Sequence, residues 1–333
     1  MTLELGRAEE LIHGFERQRV LVVGDLMLDR YIYGRVRRIS PEAPVPIVEA
    51  TAEKGVPGGA CNVAWNIRSL GARAGVTGIV GADREAEELK SLLDGVGVFT
   101  DGVMQMPDIR TTVKIRVMAD RQQVVRLDWE TPFAPSDRNM AKLCDLARSE
   151  TMKSTGVIIE DYGKGVVRQP VVDAVANAAN EAGIPVGYDP KEDHELSVQG
   201  ITMATPNRKE AYIAAGKPEP SRLCSPLKDE SLLEVGHILI RKWGVEFLAI
   251  TLGPQGMLVF LDGEKPHHIP TRAKEVFDVS GAGDTVIAVS LLALTSGAAP
   301  VEAVELANHA AGIVVGKVGT AVCSREELTR SFS

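Results

Sequence analysis

No run of eighteen apolar residues occurs in these 333 residues, so nothing in the sequence reads as a transmembrane helix. The N-terminal MTLELGRAEELIHGFERQRV is not a secretory signal either; it reads as a short amphipathic helix leading into a strand. Cysteine is scarce. Cys61, Cys144, Cys224 and Cys323 lie far apart with no C-x-x-C pair, which argues against a zinc site or a disulfide framework. Scattered thiols without an export signal point to the cytoplasm. The six histidines form no H-x-x-x-H pair, and His267 and His268 fall in a surface-strand pattern with no assigned role. Basic charge is not in excess: the net charge of −8 argues against nucleic acid as the main partner. What the chain does have is apolar residues, 44% of the total. That suits one large α/β domain with an insertion, or two smaller domains.

Short β-branched runs alternate with helical patterns. Arg19–Val23, Gly156–Ile159, Ile184–Tyr188 and Phe247–Thr251 read as buried strands, and Pro170–Ala182, Asn207–Ala215 and Glu230–Trp243 as helices. This alternation implies a mostly parallel sheet covered on both faces, with ligands outside the carboxyl ends of its strands. Two stretches break the pattern. Residues 30–54 are proline-rich with short extended runs, and residues 109–126 alternate like antiparallel strands around a turn at Ala119-Asp120. Together they predict a small attached sheet. They hold ten basic and four acidic side chains, a local +6, which suits either a solvated strand face or a lid over an anionic substrate.

The densest chemistry is Asp278-Val-Ser-Gly-Ala-Gly-Asp284, followed by the apolar helix pattern of Thr285–Ala293. Gly281, Ala282 and Gly283 leave backbone N–H groups open to an anion at the positive end of a helix, with Asp284 beside them as a potential base. Such a segment reads as a capped glycine turn or as an anion hole with its base. Other polar groups follow strands. Gly24-Asp-Leu-Met-Leu-Asp29 has no G-x-G-x-x-G; Asp25 suits a capping or turn role, and Asp29 a sugar hydroxyl. Gly58, Gly59 and Asn62 open a helix and offer close backbone approach and a donor–acceptor amide. Glu160-Asp161-Tyr-Gly-Lys164, Tyr188-Asp189-Pro-Lys191 and Thr205-Pro-Asn207-Arg208-Lys209-Glu210 each place charge just past an apolar run. Lys164 and Lys191 suit phosphate oxygens. Asn207 and Glu210, one helical turn apart, suit a cap or water-mediated Mg²⁺ contact. Thr251-Leu-Gly253-Pro-Gln-Gly256 reads as a hairpin turn or the wall of a nucleotide pocket.

As a set these residues resemble the ribokinase-like sugar kinases, the PfkB family, across nearly the whole chain. The Gly-Gly…Asn segment of 58–62 and the G-A-G-D of 281–284 are that family's two signatures. Gly24–Tyr31, Arg38–Pro46, Val125–Asp128, Asp161–Gly165, Thr205–Asn207 and Asp278–Thr285 are most similar to the bacterial D-glycero-β-D-manno-heptose-7-phosphate kinases, Arg38–Pro46 being the most discriminating. The resemblance implies one kinase domain over residues 1–333, with a lid from about 30–54 and 109–128. It implies transfer of the ATP γ-phosphate to the anomeric hydroxyl of the heptose 7-phosphate. Asp284 would be the base and the amides of 281–284 the anion hole. Asp29, Gly58, Gly59 and Asn62 would hold the sugar, and Lys164 with Arg38, Arg110, Lys114 and Arg116 its phosphate. Lys191 and Asn207 to Glu210 would face ATP and Mg²⁺; Thr251, Gly253, Gly256 and Asn308 would border the nucleotide. Asp278 and Gly316–Gly319 match the region where relatives bind a monovalent cation such as K⁺. A homodimer through the lid follows from the same resemblance. The absence of an H-x-G-H motif before Ser333 leads us to expect the stand-alone kinase, without the nucleotidyltransferase fused to it in many relatives. Ser280, Cys61 and the charged pair Arg208-Lys209 depart from the family pattern.

Overall fold

A computed structural model describes residues 3–120, 122–131, 133–192, 194–220 and 224–333. Arg121, one of the lid's basic residues, lies outside this set. Thirteen strands are described: β1 (Arg19–Gly24), β2 (Leu26–Ile39), β3 (Pro46–Gly59), β4 (Arg73–Gly81), β5 (Phe99–Met106), β6 (Thr112–Ala119), β7 (Gln122–Trp129), β8 (Gly156–Glu160), β9 (Val186–Asp189), β10 (Met203–Ala204), β11 (Phe247–Thr251), β12 (Met257–Leu261) and β13 (His267–Ile269). Nine form one sheet in the order β13-β12-β11-β10-β9-β8-β1-β4-β5. All its pairs are parallel except β11–β12 and β12–β13. The expected parallel sheet is therefore present.

Its central strands are apolar on both sides because helices cover both faces. Val20, Val22 and Ile158 point into one core with the helices Ala60–Ser69, Ala282–Thr295 and Pro300–Val314. Leu21, Val23 and Ile159 point into the other, with Asp137–Thr151, Gln169–Ala182 and Glu230–Trp243. Side chains that alternate along one strand thus enter two different cores, the period-two geometry of a doubly covered strand.

The second sheet has the order β3-β2-β6-β7. It extends further than the sequence pattern suggested. β2 begins at Leu26 and β3 ends at Gly59, so this smaller sheet, the one expected to form a lid, grows out of the strand β1 and runs back into the helix at Ala60. Asp29 and Gly58 thereby sit at the lid's root, close to the carboxyl edge of the main sheet. The turn at Ala119-Asp120 is where expected, with Asp120 at φ 54°, in the left-handed region.

Candidate active site

Asp284 is the third residue of the helix Ala282–Thr295 and is buried. Gly281 stands at the N-cap with φ 78°, and no side chain caps this terminus. A Cβ at Gly281 would lie 2.7 Å from the amide nitrogen of Asn62, so backbone geometry and space both require glycine there. The Ala282 N–H already donates to the Val279 carbonyl at 3.2 Å. The anion hole expected from 281–284 therefore narrows to the other amides of the turn.

Two donors hold the Asp284 carboxylate. The Asn62 amide donates to Oδ2 at 2.5 Å and the Tyr162 hydroxyl to Oδ1 at 2.8 Å. Burial pushes the Asp284 carboxyl above its ordinary pKa, while the Asn62 and Tyr162 bonds pull it down. A carboxylate raised in this way is a better proton acceptor than a solvated one. Asn62 is locked in turn: the Asn66 amide donates to its carbonyl at 2.9 Å, and Thr285 Oγ1 donates to Asn66 Oδ1 at 2.9 Å.

Tyr162 reaches Asp284 because its loop is tied from below. Buried Asp25 accepts backbone N–H bonds from Tyr162, Lys164 and Val166 at 3.0–3.1 Å. The turn role expected of Asp25 is thus exercised on a loop some 140 residues away in sequence, not on its own turn. Burial raises the Asp25 carboxyl, and these three bonds oppose the rise. In the sequence, Tyr162 is a single tyrosine between charged residues, and the D-Y-G-K segment is the only signal that could have found it.

Glu160 and Asp189 end adjacent strands, and with Asp284 they bring carboxylate oxygens within 4.8 Å of one another. Burial is the main reason that Glu160 and Asp189 are pushed well above the ordinary carboxylate range; Asp189, Asp284 and Asp161 add to the rise at Glu160, and Glu210 and Asp284 to that at Asp189. Glu160 Oε2 is buried without a hydrogen-bond partner. A buried oxygen left unpaired among carboxylates fits a hard cation such as Mg²⁺. Along the sequence Glu160 and Asp189 are visible only as charge at strand ends, while Asp284 opens a helix.

On the lid side, Asp29 is buried, with Oδ1 3.0 Å from Arg116 and Oδ2 accepting from Thr320 Oγ1 at 3.3 Å. Gly58 faces it across the hairpin, where a Cβ would come within 2.8 Å of its carboxyl carbon. Gly59 is left-handed at φ 54°. Lys114 Nζ lies 4.8 Å above the Tyr162 ring, and burial lowers its pKa. Arg110 stacks on Trp129 at 4.3 Å and shares a small cavity with Lys164, whose Nζ is 2.5 Å from Glu130. Asp29, Gly58, Asn62, Lys114, Arg116 and Asp284 are thus brought together.

Other expected residues are placed differently. Arg38 is exposed at the distal end of β2, nine residues beyond Asp29, which carries it about 30 Å along an extended strand. It does not join the basic cluster of its own chain. Arg208 turns away from the strand ends onto Asp229 (2.7 Å) and Glu219 (3.3 Å), and Lys209 lies 2.7 Å from Glu192. Both side chains at 208–209 are thus ion-paired. Asn207 and Glu210 satisfy each other in a capping box, at 3.0 and 2.8 Å. Glu210 nonetheless stays close enough to Asp189 to raise that carboxyl. Lys191 is exposed near Glu210.

At the far side, Thr251 bridges to Asn207, Gly253 and Gly256 take φ 56° and 84°, and the buried Asn308 donates to the Pro270 carbonyl at 2.7 Å. Asp278 accepts from the Ser280 and Gly319 amides at 2.9 and 3.1 Å, joining the 278–280 turn to the segment before Thr320.

The sequence profile of the pfkB family carbohydrate kinases matches residues 17–327. The protein from Nitrosococcus oceani named "Bifunctional protein HldE" is 43% identical over 328 residues, covering 97% of this chain and 66% of its own length. Proteins of that name from Vibrio atlanticus and Geobacter sulfurreducens are each 41% identical, over 97% and 94% of this chain. The chain spans 65% and 62% of those two relatives. Among solved structures, Arabidopsis thaliana ribokinase complexed with ribose and ATP superposes with a TM-score of 0.72 at 22% identity, over 95% of this chain and 98% of that one. Escherichia coli phosphofructokinase-2 in complex with potassium gives 0.73 at 20% identity, over 95% and 98%. These two likenesses show the ribokinase-like fold.

Proposed function

The chain belongs to the pfkB family of carbohydrate kinases, and from that premise we propose that it transfers the γ-phosphate of ATP to O1 of D-glycero-β-D-manno-heptose 7-phosphate. The product is the 1,7-bisphosphate, an intermediate toward the nucleotide-activated heptose of lipopolysaccharide inner core. The observation that carries the catalytic part is the placement of Asp284: buried, beside an uncapped helix N-terminus, with both oxygens held by neutral donors. Asp284 takes the proton from the sugar O1 as the O1–Pγ bond forms and ADP leaves with the electrons of the broken Pγ–O bond. Most of the rate then comes from positioning and electrostatic stabilisation.

Substrate choice rests on the lid. Asp29 and Asn62 address sugar hydroxyls. Lys114 and Arg116, with Lys164 on the adjoining loop, supply positive charge for a phosphorylated sugar, and Arg38–Pro46 resembles the lid of heptose-phosphate kinases. Glu160 and Asp189, with Glu210 behind them, would hold Mg²⁺; when bound, that ion would offset charge on the ATP phosphates. Thr251, Gly253, Gly256 and Asn308 are the nucleotide wall of the same reading, and Asp278 its monovalent cation site. We take residues 1–333 as one kinase domain bearing the lid as an insertion.

Asp284→Asn keeps the shape of the side chain and removes the base. A positioned base contributes about 10²–10⁴-fold, so kcat should fall by at least that lower figure while ATP still binds by calorimetry. Near-normal turnover would end the assignment. Substrate is settled by ADP release over a panel of sugar phosphates, with the product position read by ³¹P NMR; preference for a hexose 6-phosphate would replace the heptose reading.

A further inference from the structure

A cavity of about 910 Å³ opens beside the catalytic loop, and Tyr162 forms part of its wall. The same Tyr162 donates to Asp284, so the cavity and the base lie on either side of one side chain. Lys164, Arg168, Lys191 and His194 line it. Neither Arg168 nor His194 has a role in the function proposed above.

We propose that this cavity receives the phosphate group of the sugar substrate, whose reacting hydroxyl lies at Asp284 while its carbon chain passes Tyr162. The inference rests on the sugar-phosphate kinase reading and adds Arg168 and His194 to the positive charge that Lys164 and the lid residues offer the phosphate. Three independent features favour an anion. First, His194 is oriented from behind: its Nδ1 lies 2.6 Å from Asp161 Oδ2, and Asp161 is itself fixed by accepting the Gly163 N–H at 2.8 Å. That leaves Nε2 as the ring nitrogen open to a ligand in the cavity. Second, Arg168 is held by carbonyls rather than by a carboxylate, donating to Gly165 O at 3.3 Å and Phe133 O at 3.2 Å. Its charge is thus positioned but not neutralised. Third, the fourteen-residue helix Gln169–Ala182 begins at the cavity wall, with Arg168 as N-cap and no side chain capping it. Its positive end adds to the same field.

The acids nearby are paired elsewhere than with Arg168. Glu130 sits on Lys164 at 2.5 Å and Glu192 on Lys209 at 2.7 Å. Asp137 occupies the first turn of its own helix, where a carboxylate complements the dipole. A phosphate dianion displaces Glu130 from Lys164, because it offers more acceptor oxygens and more charge.

The test is steady-state kinetics of Arg168→Ala and His194→Ala with three variable substrates: the sugar phosphate, the same sugar without its phosphate, and ATP. Losing one hydrogen bond to a charged group costs about 1.5–3 kcal/mol, or roughly 10- to 100-fold. KM for the sugar phosphate should rise by that factor, while kcat/KM for the dephosphorylated sugar and KM for ATP stay within about twofold. A rise confined to ATP would make the cavity part of the nucleotide site and overturn the proposal. Equal losses for both sugars would also overturn it, since they would mark a structural role. Arg168→Lys and His194→Gln, checked by thermal melting, give folded variants should the alanines unfold. Cavity variants that leave every KM unchanged, beside an inactive Asp284→Asn, would overturn this inference alone. A fully active Asp284→Asn would instead remove the kinase reading beneath it.

Discussion

At the scale of single residues, the proposed mechanism depends on what holds the proposed base. Asp284 has one partner from the helix Ala60–Ser69 and one from the loop after β8. Tyr162→Phe isolates the second, because the ring stays to face Lys114 while the hydroxyl goes. The lost bond is charge-assisted, so about 1.5–3 kcal/mol of positioning is removed. We expect kcat to drop roughly 10- to 100-fold with KM for ATP unchanged; stopped or coupled assays of ADP release will show it, and an unaltered kcat would mean that Asn62 alone positions the base. Asp284, Asn62, Gly58 and Asp29 are legible in the sequence, because glycines beside a carboxylate or an amide at a helix start leave a local pattern. Tyr162 is not. Its place is created by Asp25, which gathers three amides from 137 to 141 residues away. A single-sequence pattern carries no trace of such a contact. Arg208 illustrates the opposite error: charge next to a strand end resembles a phosphate contact, yet Asp229 and Glu219 are near enough in space to claim it.

At the scale of elements, β1, β8 and β11 can be read from continuous β-branched runs, since they are buried on both faces, and the helices Gln169–Ala182 and Glu230–Trp243 from apolar periodicity. β10 cannot, being two residues long. The lid strands are recognisable as extended, but the pattern of β3 ends short of the true strand, because its inner end carries Gly55, Pro57, Gly58 and Gly59, which resemble loop. The helix Pro300–Val314 carries a testable electrostatic feature of its own. His309 is buried in it, stacked 3.9 Å from Phe332 and bonded through Nδ1 to Ser331 Oγ at 2.9 Å. Burial, reinforced by Arg272, pushes its pKa down to about 4. An unfolded histidine titrates near 6.5, so between pH 6.5 and 4 the unfolded chain binds a proton that the folded one refuses. Stability must therefore fall as pH drops through that window. The contribution is about 1–2 kcal/mol once partial solvation of the ring is allowed for. Urea unfolding at pH 7.5 and 5.0 should show a smaller acid loss for His309→Gln than for the parent chain; parallel losses would show that the ring is already protonated or solvated in the native state.

At the scale of the whole molecule, two sheets share one edge of chemistry. The main sheet delivers Glu160, Asp189 and the Tyr162 loop, and the lid delivers Asp29, Lys114 and Arg116, so in the proposed function substrate enters where the two meet. The lid also carries apolar surface that the rest of the chain leaves uncovered. Val125, Leu127 and Trp129, alternate residues on one face of β7, are exposed, as are Val36 and Ile39 at the outer end of β2. β7 and β3 are edge strands, and an apolar sheet with open edges favours pairing with another copy. We propose a dimer in which two lids face each other, which would also give the distal Arg38 a neighbour. In that case sedimentation equilibrium should give twice the 35.7 kDa of one chain. Val125→Lys with Leu127→Lys should shift it toward the monomer, because pairing the lids would then bury two ammonium groups from each chain without partners, at a cost larger than the apolar burial can offset. KM for the sugar phosphate should rise with dissociation, since the lid loses its support, whereas the melting temperature of the main sheet should hold. A parent chain that sediments as a monomer at micromolar concentration would remove the dimer and leave Arg38 without a function at this site.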